Sequence, residues 1–125
     1  MLNKNILLID DDSDDAELFI EAVNALHKNI VCRTTNNPLK ALEELKNADE
    51  LPDFVFVDFS MPGLNGAEFI EKVKEEKRLG CISIILMSTH TVEVMRKLTR
   101  QFDTLQYMTK PSSFQELVAM LDEVL

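Results

Sequence analysis

Residues 52–58, Pro-Asp-Phe-Val-Phe-Val-Asp, carry the pattern that decides the fold: four consecutive apolar side chains, Phe54–Val57, closed by the carboxylate of Asp58. A strand with one wet face alternates apolar and polar residues. An unbroken apolar run instead marks a strand buried on both faces, as in a parallel sheet. The same pattern recurs at Ile6–Ile9, closed by Asp10-Asp11-Asp12, and at Ile82–Met87, interrupted by Ser83 and closed by Ser88. Weaker runs lie at Ile30–Cys32 and at Leu105–Met108, the latter leading into Lys110-Pro111.

Between these runs the apolar spacing changes to that of helices. Phe19, Ala22, Val23 and Leu26 follow i, i+3, i+4, i+7, as do Phe114, Leu117, Val118 and Leu121. Ala41, Leu42 and Leu45 follow Asn37-Pro38, an N-cap with proline at the first helical position. Phe69, Ile70 and Val73 form a third stripe, and Met95, Leu98 and Phe102 a fourth. Ser113 with Glu116 reads as a capping box for the last helix. The order is strand then helix, five times. The expectation is one doubly wound α/β domain over residues 1–125, a parallel sheet with helices on both faces and right-handed crossovers.

Composition limits the function. Of 125 residues, 13 are Lys or Arg and 22 are Asp or Glu, giving a net charge of −9. That balance argues against nucleic acid, whose phosphates need clustered cations, and against an anionic membrane surface. The apolar run near the start is too short for a signal sequence, and none approaches the ~18 residues of a membrane span. Cytoplasmic location is expected, with Cys32 and Cys81 as two free, buried thiols. Seven of the acidic residues, Asp10, Asp11, Asp12, Asp14, Asp15, Glu17 and Glu21, crowd into the first 21 positions. A calcium loop does not explain them, because Asp15 stands where the sharp turn of such a loop needs glycine.

Sites in such sheets form beyond the C-terminal strand ends. Those ends present Asp10 and Asp11, Asp58, Ser88 and Lys110. Two carboxylates about 5 Å apart repel by roughly 3 kcal/mol at an effective dielectric of 20. A hard divalent cation such as Mg²⁺ relieves this, leaving Asp58 as an oxygen nucleophile. Lys110 and the Ser88 hydroxyl are then placed to neutralise phosphoryl oxygens. No glycine-rich phosphate loop is present, so the phosphoryl group must come from another molecule. Asp12, Asp14, Asp15 and Glu17 read as helix-start charge favoured by the macrodipole.

With the motifs NILLIDDD, VDFSMPGLNG, ILMST and YMTKP in this order, residues 5–125 resemble the receiver domain of two-component response regulators. The resemblance implies a flavodoxin-like fold with strand order 2-1-3-4-5. It implies that Asp10 and Asp11 hold Mg²⁺ with Asp58 and the backbone carbonyl of Ser60, and that Asp58 is the phosphoacceptor. Ser88 would be the switch hydroxyl and Tyr107 the switch aromatic, and the Lys110–Pro111 bond would be cis. Ser60 and His90 occupy positions that tune dephosphorylation in the family. The expected activity is a signalling switch rather than an enzyme, catalysing only its own aspartyl phosphorylation and dephosphorylation. Its donor would be a histidine kinase or histidine phosphotransfer protein. Its output would be a remodelled face of the fourth helix, fifth strand and fifth helix, binding a downstream protein or a second copy. No output domain is expected. The alternative is a small phosphatase of the haloacid-dehalogenase type, with Asp10-x-Asp12 at the first strand end and Asp10 as nucleophile. Against it, Asp14 stands where Thr or Val is usual there, and no cap domain is seen.

Overall fold

The computed structural model describes residues 4–61, 63–99 and 106–125, and of Leu98 the backbone alone. Pro62 of the turn motif, Phe102 of the fourth stripe and Leu105 of the last apolar run lie outside the described residues, as does the side chain of Leu98.

The strands are β1 (Lys4–Ile9), β2 (Ile30–Thr35), β3 (Phe54–Asp58), β4 (Ser83–Ser88) and β5 (Gln106–Thr109). All pair in parallel, in the order β2-β1-β3-β4-β5. The helices are α1 (Ser13–Ala25), α2 (Pro38–Asn47), α3 (Gly66–Lys74), α4 (Val92–Leu98) and α5 (Phe114–Val124). A 3-10 turn, Lys77–Cys81, precedes β4 and has no counterpart in the apolar spacing.

The unbroken apolar runs are explained by two cores, one on each face of the sheet. Leu7, Ile9, Val55, Val57, Ile84 and Leu86 pack on one side with Ala41, Leu45, Phe69, Ile70 and Met95 from α2, α3 and α4. Their strand neighbours Ile6, Leu8, Phe56, Ile85 and Met87 pack on the other with Phe19, Ala22, Val23 and Leu121 from α1 and α5. Phe19 meets Phe56 edge-on, with centroids 5.0 Å apart. Every residue of β1 from Ile6 to Ile9 is therefore buried although its side chains alternate.

Side chains cap the helices. Asn37 accepts from the N–H groups of Leu39 and Lys40, as its Asn-Pro sequence predicts. A reciprocal capping box lies at α3, where Asn65 and Glu68 bond each other's backbone. At α5 only half of the expected box forms. Ser113 accepts from the Glu116 N–H, but the Glu116 carboxylate reaches Ser112 instead. Phe114 departs from its stripe and is exposed. The thiols are free, but Cys81 is exposed and Cys32 only partly buried, because Cys81 closes the 3-10 turn and β2 is an edge strand. Burial pushes the Cys32 thiol up to about 11. Among the described residues, no helix is long and apolar enough to cross a membrane.

Candidate phosphoacceptor and metal site

The central strands β1 and β3 end side by side, which brings the turn after Ile9 against Asp58. One carboxylate oxygen from each of Asp10, Asp11 and Asp58 lies within 4.8 Å of the others. Asp10 and Asp58 are buried, while Asp11 opens to solvent. Asp10 is oriented by the Asp12 N–H, which donates to its Oδ1 at 3.0 Å.

Asp12 itself turns away. It is the N-cap of α1, its carboxylate accepting from the N–H groups of Asp14 and Asp15 at 2.9 and 3.2 Å. A D-x-D pocket of the phosphatase kind therefore does not form.

The opposite wall comes from β4 and β5. Ser88 is buried, and its Oγ accepts from the His90 N–H at 3.0 Å, leaving the hydroxyl proton free to be aimed. Lys110 follows β5 directly, and its N–H donates to the Ser88 carbonyl at 2.7 Å, continuing the ladder past the strand end. Its Nζ lies 3.4 Å from Asp58, 3.6 Å from Asp10 and 3.3 Å from Asp15. The sheet thus gathers Asp10, Asp11, Asp58, Ser88 and Lys110. Among the described residues no peptide bond is cis, so Lys110–Pro111 is trans, contrary to expectation. Trans is the lower-energy form of an X–Pro bond by about 0.5–1 kcal/mol.

The charges do not balance. Asp10, Asp15 and Asp58 share the one Lys110 ammonium, and Asp11 adds a fourth carboxylate. Burial pushes the Asp58 carboxyl up to about 6, with Asp10 adding to the rise and Lys110 and the Ser60 N–H opposing it. Burial also raises Asp10, against the Asp12 N–H and Lys110. Lys110 is drawn down by burial, but Asp58, Asp10 and Asp15 outweigh this and raise it. Such a set of hard oxygen donors, two buried and one open to water, fits a small divalent cation. Ser60 is exposed two residues beyond Asp58, and what it presents to Asp58 is its N–H.

Tyr107 is half-buried against the α2–α3–α4 core, its ring 5.9 Å from the Arg96 guanidinium. Its hydroxyl lies 2.8 Å from that of fully buried Thr99. Thr99 donates its one proton to the Met95 carbonyl at 2.7 Å, so Tyr107 is the donor to Thr99. His90 is exposed, its ring edge-on to Phe59 at 6.3 Å.

Two residues of this neighbourhood escape the sequence reading. Asp15, read as helix-start charge, is an ion-pair partner of Lys110 across 95 positions, and no local signal connects them. Thr99 does carry a faint signal, since it stands four residues after Met95 on the same helix face.

Known proteins resemble this chain in sequence and in fold. The chain is 29% identical over 125 residues to the phosphate regulon transcriptional regulatory protein PhoB of Pseudomonas aeruginosa, covering 100% of itself and 53% of that protein. It thus spans about half the length of that relative. The phosphorylated cyanobacterial phytochrome response regulator RcpA superposes with a TM-score of 0.86 at 21% identity, over 98% of this chain and 91% of that one. The Mn²⁺-bound response regulator Rcp1 superposes with a TM-score of 0.81 at 21% identity, over 97% and 91% of the two chains. The response regulator receiver domain profile matches residues 6–122, taking in all five strand ends and the acidic pocket, and the chain belongs to that family of two-component signalling switches.

Proposed function

We propose that this domain accepts a phosphoryl group on Asp58 from a phosphohistidine of a histidine kinase or histidine phosphotransfer protein. The observation that carries this reading is the convergence of Asp58, Asp10, Asp11 and Lys110 in one pocket, with Asp58 buried. Mg²⁺ would be held by Asp10, Asp11, Asp58 and the Ser60 carbonyl, and when bound it supplies positive charge against the carboxylates and the incoming phosphoryl oxygens. That Rcp1 was solved with Mn²⁺ supports such a site. An Asp58 oxygen forms the new O–P bond as the N–P bond of the donor breaks, its electron pair returning to the imidazole nitrogen. Lys110 neutralises one phosphoryl oxygen and the Ser88 hydroxyl donates to another. Beyond adding and losing its own phosphoryl group, the domain catalyses nothing.

The switch follows from charge. The phosphoryl group carries about −1.5 to −2 charge and sets it, in place of the single carboxylate charge of Asp58, beside Ser88. Drawing Ser88 towards it pulls on His90, whose N–H is bonded to Ser88 Oγ, and on Thr109, whose hydroxyl donates to the His90 carbonyl. Tyr107, two residues before Thr109 on β5, is bonded to Thr99 at the C-terminal end of α4. The surface of α4, β5 and α5 is then remodelled, and a cytoplasmic downstream protein, or a second copy of the domain, reads the change. The test is incubation with acetyl phosphate. Wild type should take up phosphate with Mg²⁺ and none with EDTA, and Asp58→Asn should take up none. Equal labelling of Asp58→Asn would remove the assignment.

A further inference from the structure

Lys110 has three carboxylate neighbours, and the proposed function accounts for only two of them. Asp10 and Asp58 are the groups that a cation and a phosphoryl group would claim. Asp15, whose Oδ2 lies 3.3 Å from Nζ and is the nearest of the three, belongs to neither. Both ends of this contact are anchored. Asp15 sits in the first turn of α1, its N–H donating to the N-cap carboxylate of Asp12, and Lys110 is tied to β4 through Ser88. Beside them a cavity of about 150 Å³ opens between α1 and α5, lined by Leu18, Phe19, Phe114 and Leu117 among others. Lys110 and Asp15 both line this cavity, so the ammonium has open space on one side and Asp15 is the carboxylate that holds it at the edge.

We propose that Asp15 is a positioning residue for Lys110, the one counter-charge that keeps the ammonium at the pocket mouth once Asp10 and Asp58 are engaged. The inference rests on the function proposed above. A pair this exposed adds little stability, since Asp15 is 45% and Lys110 22% accessible at the side chain. Its effect is geometric. Without Asp15, Lys110 would follow whichever of Asp10 and Asp58 remained free, or swing into the groove, and be misplaced for the phosphoryl oxygens. The competing expectation is that Asp15 merely adds negative charge that repels an anionic donor, in which case its removal would speed the reaction.

Asp15→Asn and Asp15→Glu separate these. With saturating Mg²⁺ and acetyl phosphate, Asp15→Asn should label about three- to tenfold more slowly at saturating donor. Asp15→Glu should recover most of the rate, and thermal melting of both should match wild type. A second readout needs no turnover: with Mg²⁺ engaging Asp10 and Asp58, NMR of the Lys110 Nζ protons should show exchange with water about threefold faster or more in Asp15→Asn, as a clamped ammonium is released. Labelling of Asp15→Asn at or above the wild-type rate, or unchanged Nζ exchange, overturns the proposal. If wild type itself takes no label, the proposed function fails, and the Nζ exchange alone then decides whether Asp15 holds Lys110.

Discussion

Replacing Asp58 by Asn should make the metal-free domain more stable at neutral pH, although it removes the proposed phosphoacceptor. Asp58 is 6% exposed, and its carboxyl is pushed from an ordinary 3.8 up to about 6. Between these two values the folded state holds a proton that the unfolded chain has released, so stability falls as pH rises through that window. Above it the full charge is buried. A rise of roughly two units corresponds to about 3 kcal/mol lost by pH 7. Asn keeps the shape and removes the charge, while Lys110 keeps Asp10 and Asp15 as partners. The net gain should be about 1–3 kcal/mol, which for a domain of this size is a melting shift of roughly 3–12 °C. Urea unfolding in EDTA at several pH values between about 4.5 and 7.5 measures it. Wild type should lose stability across the range and Asp58→Asn should lose less, with Mg²⁺ restoring wild type at the upper end. If Asp58→Asn is instead destabilised by about 3–5 kcal/mol, the Lys110–Asp58 pair holds the fold and the reasoning is wrong.

Other expectations concern the frame around the site. At Gly66 a Cβ would sit 2.7 Å from Leu86 Cδ1, 2.9 Å from the Asp58 carbonyl and 3.0 Å from Phe59 Cα. The leucine tip can rotate but the backbone cannot, so Gly66→Ala should cost about 1–3 kcal/mol in urea unfolding and slow labelling by displacing Asp58. Asp12→Ala removes the α1 cap and should cost about 1 kcal/mol, read by thermal melting, because the two N–H groups it serves go unpaired. Thr99→Val deprives Tyr107 of its acceptor and should cost about 1 kcal/mol. Tyr107 is the only tyrosine in a chain without tryptophan, so its fluorescence should report that change directly.

Most of the fold was legible because a parallel sheet leaves a local trace. Burial on both faces makes Ile6–Ile9 and Phe54–Val57 continuous, and each run ends where a carboxylate of the acidic pocket begins. Asp10, Asp11, Asp58, Ser88 and Lys110 were legible for the same reason, since a strand end is a position in sequence as well as in space. Asp15 was not, because its partner is chosen by how the start of α1 faces the end of β5, and nothing in the spacing of DDDSDD records that. Cys81 was misjudged because the 3-10 turn that exposes it has no periodicity of its own. The α5 cap was half right, for Ser113 fixes its own bond while Glu116 is free to choose between neighbouring amides.

The central claim is that Asp58 carries the phosphoryl group, and the most direct measurement is to trap the acyl phosphate chemically. Wild type labelled by acetyl phosphate with Mg²⁺ is reduced with borohydride, which converts a phosphorylated aspartate to homoserine, and is then mapped by peptide mass spectrometry. Homoserine at position 58, absent when Mg²⁺ is withheld, is the predicted result. Homoserine at position 10, or at neither position in protein that has taken up phosphate, would contradict it.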